Sequence, residues 1–369
     1  MGPRQAWDSR ARASLPLPRT RPQAYPDLTD VRALAVNQSW NTCVVLADGT
    51  LRCWGIVVRG ALGDDPGRGR PGPIPGLTGA VAVALGEYHF CALTGAGELR
   101  CWGASGDGRL GTDGKDWVDT PVAIPGLDAA AQVAPGFAHA CALAAGTVSC
   151  WGDNRMGELG DGTLAARARP APVPGLTGVV QIATGLMQTC AVLGDGGVRC
   201  WGDNVATVCE DATPTPVAVP GLAHIAEVTV GGHHACARST DGEVLCWGSN
   251  EQGQLGDGTT VQRFTPVPVV DLPAATRIWA GAMHTCALLG DGSVRCWGAD
   301  QLGQVDGGAA AISVPRPVAV PGLTDVLTVA PAGAHTCALR RDGTVWCWGM
   351  VTADQFKRTL GPVPGHGGG

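Results

Sequence analysis

The chain has 369 residues, and its 26 lysines and arginines against 32 aspartates and glutamates give a formal net charge of −6. It contains no basic run, so nucleic acid is not an indicated partner. No apolar stretch approaches the roughly 18–20 residues of a transmembrane helix, so no membrane span is predicted. Fifteen cysteines point instead to an oxidising compartment.

The first segment, residues 1–26, carries five arginines and scattered prolines without a continuous apolar core. This composition predicts a disordered arm and lacks the apolar region of a secretory signal peptide. The N-terminus and the cysteines therefore disagree on the compartment. We expect a leader that the sequence does not show, and hence an extracellular, periplasmic or cell-surface protein. A cytoplasmic protein with reduced thiols is the alternative.

From residue 27 onward the chain repeats one unit. The triplet Cys-Trp-Gly recurs seven times, at intervals of 46 to 51 residues. Each unit runs through a Pro-Gly-Leu turn, an alternating apolar strand, a cysteine hairpin, a glycine-rich loop and a Pro-Val-Pro strand. A period of this length indicates a solenoid, a propeller or an array. About four short strands per unit, with no helical pattern, predict an all-β protein.

We therefore predict a seven-bladed β-propeller with four-stranded blades over residues 27–364, closed into a ring. The repeats begin near Leu28-Thr29-Asp30-Val31 and end at Leu360-Gly-Pro-Val-Pro364, at similar phases of the unit. This suits a ring in which a terminal strand completes a blade made by the other end, whereas an open solenoid needs capping repeats. Which terminus supplies that strand stays open. Residues 365–369 are expected to form a flexible glycine-rich tail.

The cysteine hairpin is clearest in the sixth unit, where two apolar runs flank Gly290-Asp291-Gly292. A three-residue loop usually ends in a left-handed residue, a conformation that glycine adopts at the least cost. Pairing residues outward from this loop places Cys286 opposite Cys296 at the fourth pair, which is predicted to be non-hydrogen-bonded. The third unit is one residue shorter, and a two-residue turn at Ala145-Gly146 keeps its cysteines at the fourth pair.

Cysteines that face each other at such a pair have Cα atoms roughly 4.5 Å apart, within the range of a disulfide. The predicted disulfides are Cys43–Cys53, Cys91–Cys101, Cys141–Cys150, Cys190–Cys200, Cys236–Cys246, Cys286–Cys296 and Cys337–Cys347. Reduced, buried thiols are the alternative. The fifteenth cysteine, Cys209, stands in a degraded loop and is expected to be a bystander.

The tryptophan after each second cysteine lies on the opposite face of its hairpin. Because both faces of a blade pack on neighbours, these indoles are expected to form the cores between blades. These structural tryptophans are Trp54, Trp102, Trp151, Trp201, Trp247, Trp297 and Trp348.

The unit resembles the repeat of the regulator-of-chromosome-condensation (RCC1) family. The resemblance rests on His-x-Cys-Ala-Leu, on Asp-Gly-x-Val-x-Cys-Trp-Gly, on Asn250 after Trp-Gly and on Gly-Gln-Leu-Gly-Asp-Gly-Thr at 253–259. It covers roughly residues 28–364 and implies a bacterial-type seven-bladed propeller. Members of the family include nucleotide-exchange factors, photoreceptors, kinase regulators, ligase modules and secreted inhibitors of β-lactamases. The fold alone therefore does not give the function.

One set of positions varies in an informative way. Three or four residues before each first cysteine, a short turn carries large apolar or aromatic side chains in most units. In a ring these turns crowd around one mouth, and aromatic residues and methionine are enriched at protein interfaces. We expect a partner-binding rim formed by Trp40, Tyr88, Phe137, Leu186, Met187, His233 and Met283. Local burial of about half of them is the alternative.

Two residues before the first cysteine, five units carry a histidine: His89, His139, His234, His284 and His335. Asparagine or glutamine, which are poor zinc ligands, stands there in the other two units, so we expect hydrogen bonds to neighbouring backbone. The segment 106–111 matches a dinucleotide-binding pattern but precedes no helix. No catalytic residue, metal or cofactor is predicted.

The sequence thus favours a non-enzymatic scaffold for protein–protein interaction. We expect it to be exported, disulfide-stabilised and monomeric, and to bind an unknown partner protein through one face of the ring. Two alternatives remain. One is a guanine-nucleotide exchange factor or regulator of a small GTPase, and the other is a secreted inhibitor of an enzyme such as a β-lactamase.

Overall fold

The chain folds into seven four-stranded antiparallel sheets, arranged as the blades of a closed propeller. The computed structural model describes residues 20–25, 28–55, 71–113, 116–127, 129–203, 212–308 and 311–350. In each blade the first strand lies innermost and contacts the first strands of both neighbouring blades, including the contact between the seventh blade and the first. The predicted fold class, a closed ring of seven blades, is confirmed.

The strands follow one another in chain order, four to a blade, and blade 7 takes its outer strand from the N-terminus. Blade 1 comprises β2 (Val31–Val36), β3 (Thr42–Leu46), β4 (Leu51–Trp54) and β5 (Gly72–Pro73), and blade 2 comprises β6 (Ala80–Leu85), β7 (His89–Thr94), β8 (Leu99–Ala104) and β9 (Trp117–Ala123). Blade 3 comprises β10 (Gln132–Pro135), β11 (His139–Ala144), β12 (Thr147–Gly152) and β13 (Arg167–Pro172), and blade 4 comprises β14 (Val179–Thr184), β15 (Gln188–Leu193), β16 (Val198–Gly202) and β17 (Thr213–Ala218). Blades 5 to 7 comprise β18 (Ile225–Val230), β19 (His234–Ser239), β20 (Val244–Gly248), β21 (Arg263–Pro268); β22 (Ala275–Ala280), β23 (His284–Leu289), β24 (Val294–Ala299), β25 (Ser313–Ala319); and β26 (Val326–Pro331), β27 (His335–Arg340), β28 (Val345–Gly349), β1 (Thr20–Ala24). No helix in the described part of the chain is long and apolar enough to cross a membrane.

The second and third strands of each blade form the predicted cysteine hairpin. In six blades the third loop residue is a left-handed glycine, such as Gly292 with φ +80°. Blade 3 instead uses a two-residue turn, in which Ala145 and Gly146 both have positive φ. The paired cysteines face each other in all seven hairpins, and each pair is joined by a disulfide with Cα atoms 4.1 Å apart. The predicted cysteine pairing is confirmed.

Neighbouring blades pack through the tryptophan that follows each second cysteine. All seven indoles are at most 1% exposed. At the first interface, Trp102 of blade 2 packs in one cluster with Cys43 and Cys53 of blade 1, and the other six interfaces repeat this arrangement. Burial of an aromatic side chain with ~150–250 Å² of surface contributes about 4–6 kcal/mol relative to exposure. The disulfide of one blade and the indole of the next thus form the core of every interface.

The ring is closed by the N-terminal strand β1, which pairs antiparallel with β28 of blade 7. The Tyr25 N–H donates to the Val345 carbonyl at 2.8 Å. The Tyr25 hydroxyl accepts a hydrogen bond of 3.0 Å from the Trp54 indole of blade 1, and burial raises the pKa of Tyr25 to about 12. The N-terminal segment therefore binds both blades that meet at the closure of the ring.

The expectation that residues 1–26 form a disordered arm is wrong for residues 20–25. Their composition resembles a linker, but the outer edge of β28 offers backbone hydrogen bonds that satisfy an extended segment. Residues 1–19 lie outside the described residues, as do the expected final strand at 360–364 and the tail at 365–369.

Replacing Tyr25 by phenylalanine removes the acceptor of the buried Trp54 N–H but keeps the aromatic ring in place. We expect the free energy of unfolding to fall by about 1–3 kcal/mol, the cost of leaving a buried donor unsatisfied. Denaturant titration with the disulfides intact measures this change. Tyr88→Phe is the matched control, because Tyr88 is the other of the two tyrosines, and it should change stability by less than about 0.5 kcal/mol. Equal effects of the two substitutions would contradict the role of Tyr25 in closing the ring.

Candidate functional site at the mouth of the ring

The two faces of the ring carry different connections. The upper face, as we name it, carries the short turns between first and second strands and the glycine-rich loops between third and fourth strands. The lower face carries the hairpin loops and the connections between blades. The upper turns surround one end of the central channel, and we call them the mouth turns. They span residues 37–41, 86–88, 136–138, 185–187, 231–233, 281–283 and 332–334.

Glycines bring adjacent mouth turns into close contact. A Cβ placed on Gly185 would lie 2.3 Å from the carbonyl oxygen of Gly231 in the next blade, so no other residue fits without a shift of the backbone. The same approach to the carbonyl of the next blade occurs at Gly86, Gly136, Gly231 and Gly281. Glycine stands five residues before the first cysteine in these five units. The sequence prediction missed this regular signal of the mouth.

Backbone hydrogen bonds also join the mouth turns from blade to blade. The Phe137 N–H donates to the Leu186 carbonyl at 3.3 Å, the Gly232 N–H to the Ala282 carbonyl at 3.1 Å, and the Ala282 N–H to the Ala332 carbonyl at 3.0 Å. These bonds join the turn of blade 3 to that of blade 4 and link the turns of blades 5, 6 and 7. They fix the backbone that carries the rim residues of these blades, as a preorganised binding surface requires.

In blades 2, 3 and 4 the side chain four residues before the first cysteine lines a cavity of ≈ 160 Å³ at the mouth. Phe137 and Leu186 form its apolar part. Glu87 also lines it and accepts a hydrogen bond from the Ser39 hydroxyl of blade 1. Burial raises the pKa of Glu87 above its ordinary range. The inner edge of the predicted rim is thus apolar at blades 3 and 4 and polar at blades 1 and 2, rather than continuously apolar.

Residues three positions before the first cysteine are outside the lining of this cavity. Their carbonyls accept hydrogen bonds from the residue at or just after the end of the third strand, as in Ala299 N–H to the Met283 carbonyl at 2.8 Å. Trp40, Tyr88 and Met187 are half-buried, whereas His233 is exposed and Met283 is 50% exposed. All seven predicted rim residues lie on the upper face. Two of them are freely accessible, and the other five present part of their side chains.

An aromatic cluster lies at blades 2 and 3. The rings of Tyr88 and Phe137 meet edge to face, with their centroids 5.5 Å apart. The guanidinium carbon of Arg109, from the glycine-rich loop of blade 2, lies 5.9 Å from the centre of the Tyr88 ring. Such contacts hold aromatic side chains in place at modest entropic cost, which is a property of interface anchors.

Trp40 is the rim residue with unusual backbone geometry. Its φ is +62°, and no other rim residue has a positive φ. The left-handed conformation costs a bulky residue roughly 1–3 kcal/mol. The Trp40 indole nitrogen is buried without a hydrogen-bond partner in the described part of the chain. Strain and an unpaired donor at one rim position mark Trp40 as a candidate for a functional role.

His233 is the one member of the rim that can carry a positive charge. Its Nδ1 lies 3.8 Å from Oδ2 of Asp203, in the segment that follows the third strand of blade 4. Asp203 raises the pKa of His233 above its ordinary value. In mildly acidic solution the rim therefore carries a His233–Asp203 ion pair at the junction of blades 4 and 5.

The five histidines that stand two residues before the first cysteine of their units lie between blades, not at the mouth surface. Nε2 of His284 lies 2.8 Å from the Thr336 hydroxyl of the next blade, and that hydroxyl donates to the Gln304 carbonyl at 2.7 Å. Because the hydroxyl has one proton to donate, it accepts from a protonated Nε2. The same bridge joins His139 to Thr189 and His234 to Thr285. The expected bond to neighbouring backbone was wrong at these three positions, because stacking of the blades brings a threonine hydroxyl closer.

His89 lacks this bridge. The next blade carries Ala140 in place of the threonine, and neither ring nitrogen of His89 has a hydrogen-bond partner among the described residues. All five histidines are buried, and desolvation lowers their pKa values. The pKa falls to about 3 for His89, His234 and His284 and to about 4 for His139 and His335. Between the blades, His139, His234 and His284 therefore serve as neutral structural hydrogen-bonding groups, whereas His89 is neutral without such a bond.

Within the described ranges, no group of three or more histidine, cysteine, aspartate or glutamate side chains is placed to hold a metal ion. The segment 106–111 begins in a three-residue 3₁₀ turn, Gly106–Gly108, and leads to β9. Cys209 lies outside the described residues, so its expected bystander role stays a prediction.

Comparisons with known proteins bear on this geometry. The model of a family described as RCC1-like domain matches residues 60–361. Prp20p from Saccharomyces cerevisiae superposes with a TM-score of 0.72 at 23% identity, over 89% of this chain and 84% of that chain. Human WBSCR16 superposes with a TM-score of 0.73 at 21% identity, over 88% of each chain. The ectodomain of the Physcomitrella patens receptor kinase CR4 superposes with a TM-score of 0.53 at 21% identity, over 87% of this chain and 74% of that chain. At such identities the likeness shows the fold alone. None of the curated proteins compared by sequence matches significantly.

The buried histidines make stability depend on pH. Their folded-state pKa values of about 3 to 4 lie below the ordinary 6.5. As the pH falls below 6.5 the unfolded chain therefore binds protons that the folded chain does not. We expect the free energy of unfolding to decrease between pH 6.5 and about 4.5, by up to about 1.4 kcal/mol per pH unit for each histidine. Urea titrations at several pH values, with the disulfides intact, measure this slope.

Substitution of a single histidine tests this assignment. His284→Gln, which copies the glutamine of blade 4, should lower the number of protons taken up on unfolding at pH 5 by about one. His233→Gln is the control, since Asp203 raises rather than lowers the pKa of His233. An unchanged slope in His284→Gln would show that this histidine is not held neutral.

Proposed function

Because the chain belongs to the RCC1-like domain family, whose model matches residues 60–361, we propose that it is a non-enzymatic scaffold that binds a partner protein through its upper face. The observation that carries the proposal is the contrast between positions of the repeat. The cysteine and tryptophan positions hold the same residue in all seven units. The rim positions of the mouth turns differ from blade to blade, although five of the seven turns begin with a glycine packed on the next blade.

Variation at the rim is chemical as well as steric. Blades 1 to 4 present large apolar groups, whereas blades 5 and 6 present an imidazole and an exposed thioether. Preorganised aromatic and methionine side chains around a polar sector resemble the central anchors of protein interfaces. An asymmetric rim of this kind orients a partner in one of the seven rotational positions that a symmetric ring would leave equivalent.

Solved relatives of the same fold support a binding role by precedent. Prp20p has binding properties toward Gsp1p and histones, and yeast RCC1 (Prp20) has been solved in complex with Kap60. Those partners belong to those proteins. For this chain they support only the general proposal that a propeller face binds protein.

We propose further that the protein acts outside the reducing cytosol. Seven disulfides occupy fourteen of its fifteen cysteines, and disulfides persist mainly in oxidising compartments. The ectodomain of a receptor kinase with this fold is a precedent for such a location. The same disulfides weigh against an intracellular exchange factor for a small GTPase.

Crosslinking tests which face binds. A photoreactive residue at Met283, which is 50% exposed on the upper face, should capture a discrete partner from native extract. The control position is Val180 on the lower face. It is similarly exposed, at 58%, and lies at the end of β14 that is away from the mouth turns. After the captured protein is identified and purified, Tyr88→Ala and Met283→Ala should each weaken its binding at least tenfold, as for interface anchors. Capture through Val180 alone, or unaltered affinity of both variants, would refute binding through the upper face.

The oxidation state tests the proposed location. Native protein, alkylated without reductant and analysed by mass spectrometry, should carry at most one modified cysteine per chain. The seven disulfides account for the other fourteen cysteines. Reduction before alkylation is the control and should give fifteen modified cysteines. Extensive labelling of the native protein would place it in a reducing compartment and remove the argument for export.

A further inference from the structure

The central channel carries a group of side chains that the rim does not include. We propose that the channel binds a carboxylate-bearing ligand through the Arg277 guanidinium, with the Trp279 indole as an apolar wall. This site goes beyond the proposed function, because it uses other residues and does not depend on the upper face.

The first strands of all seven blades line the channel, which encloses a cavity of ≈ 350 Å³. One residue of each first strand pairs with the first cysteine of the hairpin. In six blades this residue is small: Ala35, Ala84, Ala134, Ala183, Thr229 and Ala330. In blade 6 it is Trp279. The cavity is within the size range of small-molecule sites, and one indole makes its wall asymmetric.

In blades 3 and 4, a glutamine two residues earlier in the strand ties adjacent blades together. Gln132 of blade 3 donates to the Ile182 carbonyl at 2.7 Å and accepts from the Ile182 N–H at 3.0 Å. Gln181 of blade 4 makes the same two bonds with Val228. An amide suits this role because it both donates and accepts. A neutral glutamine is therefore sufficient to join neighbouring blades at this position.

Blade 5 departs from this arrangement, because Glu227 takes the place of the glutamine. It accepts from the Ile278 N–H at 3.2 Å, but a carboxylate has no proton to donate to the carbonyl. It pairs instead with Arg238 at 3.1 Å and with Arg277 at 3.0 Å. Two guanidinium groups on one carboxylate leave one positive charge in excess. Among the described residues, Glu227 and Arg277 are the charged side chains that line this ≈ 350 Å³ cavity.

Arg277 is the member of this cluster that faces the channel. Its side chain is 53% exposed, compared with 14% for Arg238. Nε of Arg277 donates to Glu227, and its Nη groups make no hydrogen bond with a described residue. Its guanidinium carbon lies 5.4 Å from the centre of the Trp279 ring. A guanidinium held by a carboxylate and an indole, with free N–H groups, is suited to bind a second carboxylate through parallel hydrogen bonds.

The walls define the rest of the ligand. The excess positive charge favours an anion, and the alanine, valine and tryptophan side chains around it favour apolar atoms beside the anionic group. A small carboxylic acid has this chemistry, and so does the C-terminal residue of a polypeptide. The cavity is too small for a folded domain.

Benzoate and its neutral counterpart benzamide test the proposal with the full-length protein. Binding is followed by the NMR signal of the Trp279 indole N–H, assigned with Trp279→Phe. We expect benzoate to bind with a dissociation constant on the order of 1–10 mM, as its size allows, and benzamide to bind at least tenfold more weakly. Arg277→Gln should weaken benzoate binding about tenfold or more. Arg316→Gln, which removes one charge from an exposed pair with Asp271, should leave it unchanged.

Arg277→Lys is a second variant, for use if Arg277→Gln does not fold. It keeps the positive charge but loses the planar guanidinium that binds a carboxylate through two parallel hydrogen bonds, so it should also weaken benzoate binding. A lack of benzoate binding, equal binding of benzamide, or unchanged affinity in both Arg277 variants would overturn the proposal. Tyr88→Ala and Met283→Ala should not alter benzoate binding, so failure of the rim proposal and failure of this one are distinguishable.

The carboxylate could belong to a small acid or to the C-terminus of a polypeptide. A short peptide that ends in phenylalanine, with a free or an amidated C-terminus, distinguishes these two ligands. Tighter binding of the free-acid peptide than of benzoate indicates a polypeptide terminus. Weaker binding indicates a small acid. Both outcomes support the carboxylate site, whereas equal binding of the free and amidated peptides contradicts it.

Discussion

The contact between a disulfide of one blade and an indole of the next is the interaction on which the ring depends. Each hairpin carries the two groups on opposite faces, so every blade offers a disulfide to one neighbour and an indole to the other. The disulfide also holds the two strands in register, which keeps the indole in line with the neighbouring cysteines. Interior packing of this density tolerates little change. The cysteine and tryptophan positions are accordingly the same in all seven units.

This constraint determines where the blades are free to differ. The faces of each blade are occupied by its neighbours, so changes are tolerated at the turns, at the outer loops and along the channel. Two departures from the repeat lie there, on different surfaces. Trp40 and its counterparts vary around the mouth, and Trp279 with Arg277 breaks the regular lining of the channel. Function is expected at such departures, because a propeller of identical blades presents the same group in every direction.

The repeat pattern in the sequence was sufficient to predict the blades, the strand register and the cysteine pairs, because these depend on contacts within one unit. Cys141 and Cys150 face each other by counting from the turn alone. Contacts between units were harder to predict. The bridge from His284 to Thr336, the close approach of Gly185 to Gly231 and the pairing of Glu227 with Arg277 depend on how one blade is rotated against the next. The strand at residues 20–24 was missed because its pairing partner lies near the other end of the chain.

That pairing has a consequence for biosynthesis. Strand β1 is made before every other strand of the ring and must wait for β28, the last of them, whereas each hairpin and its disulfide involve residues only nine or ten apart. Local hairpins with short loops form quickly, and contacts of high sequence separation form slowly. Oxidation of the individual hairpins can therefore proceed during synthesis. Until β28 has been made, however, the first and seventh blades expose apolar flanks that a chaperone or a second chain could occupy.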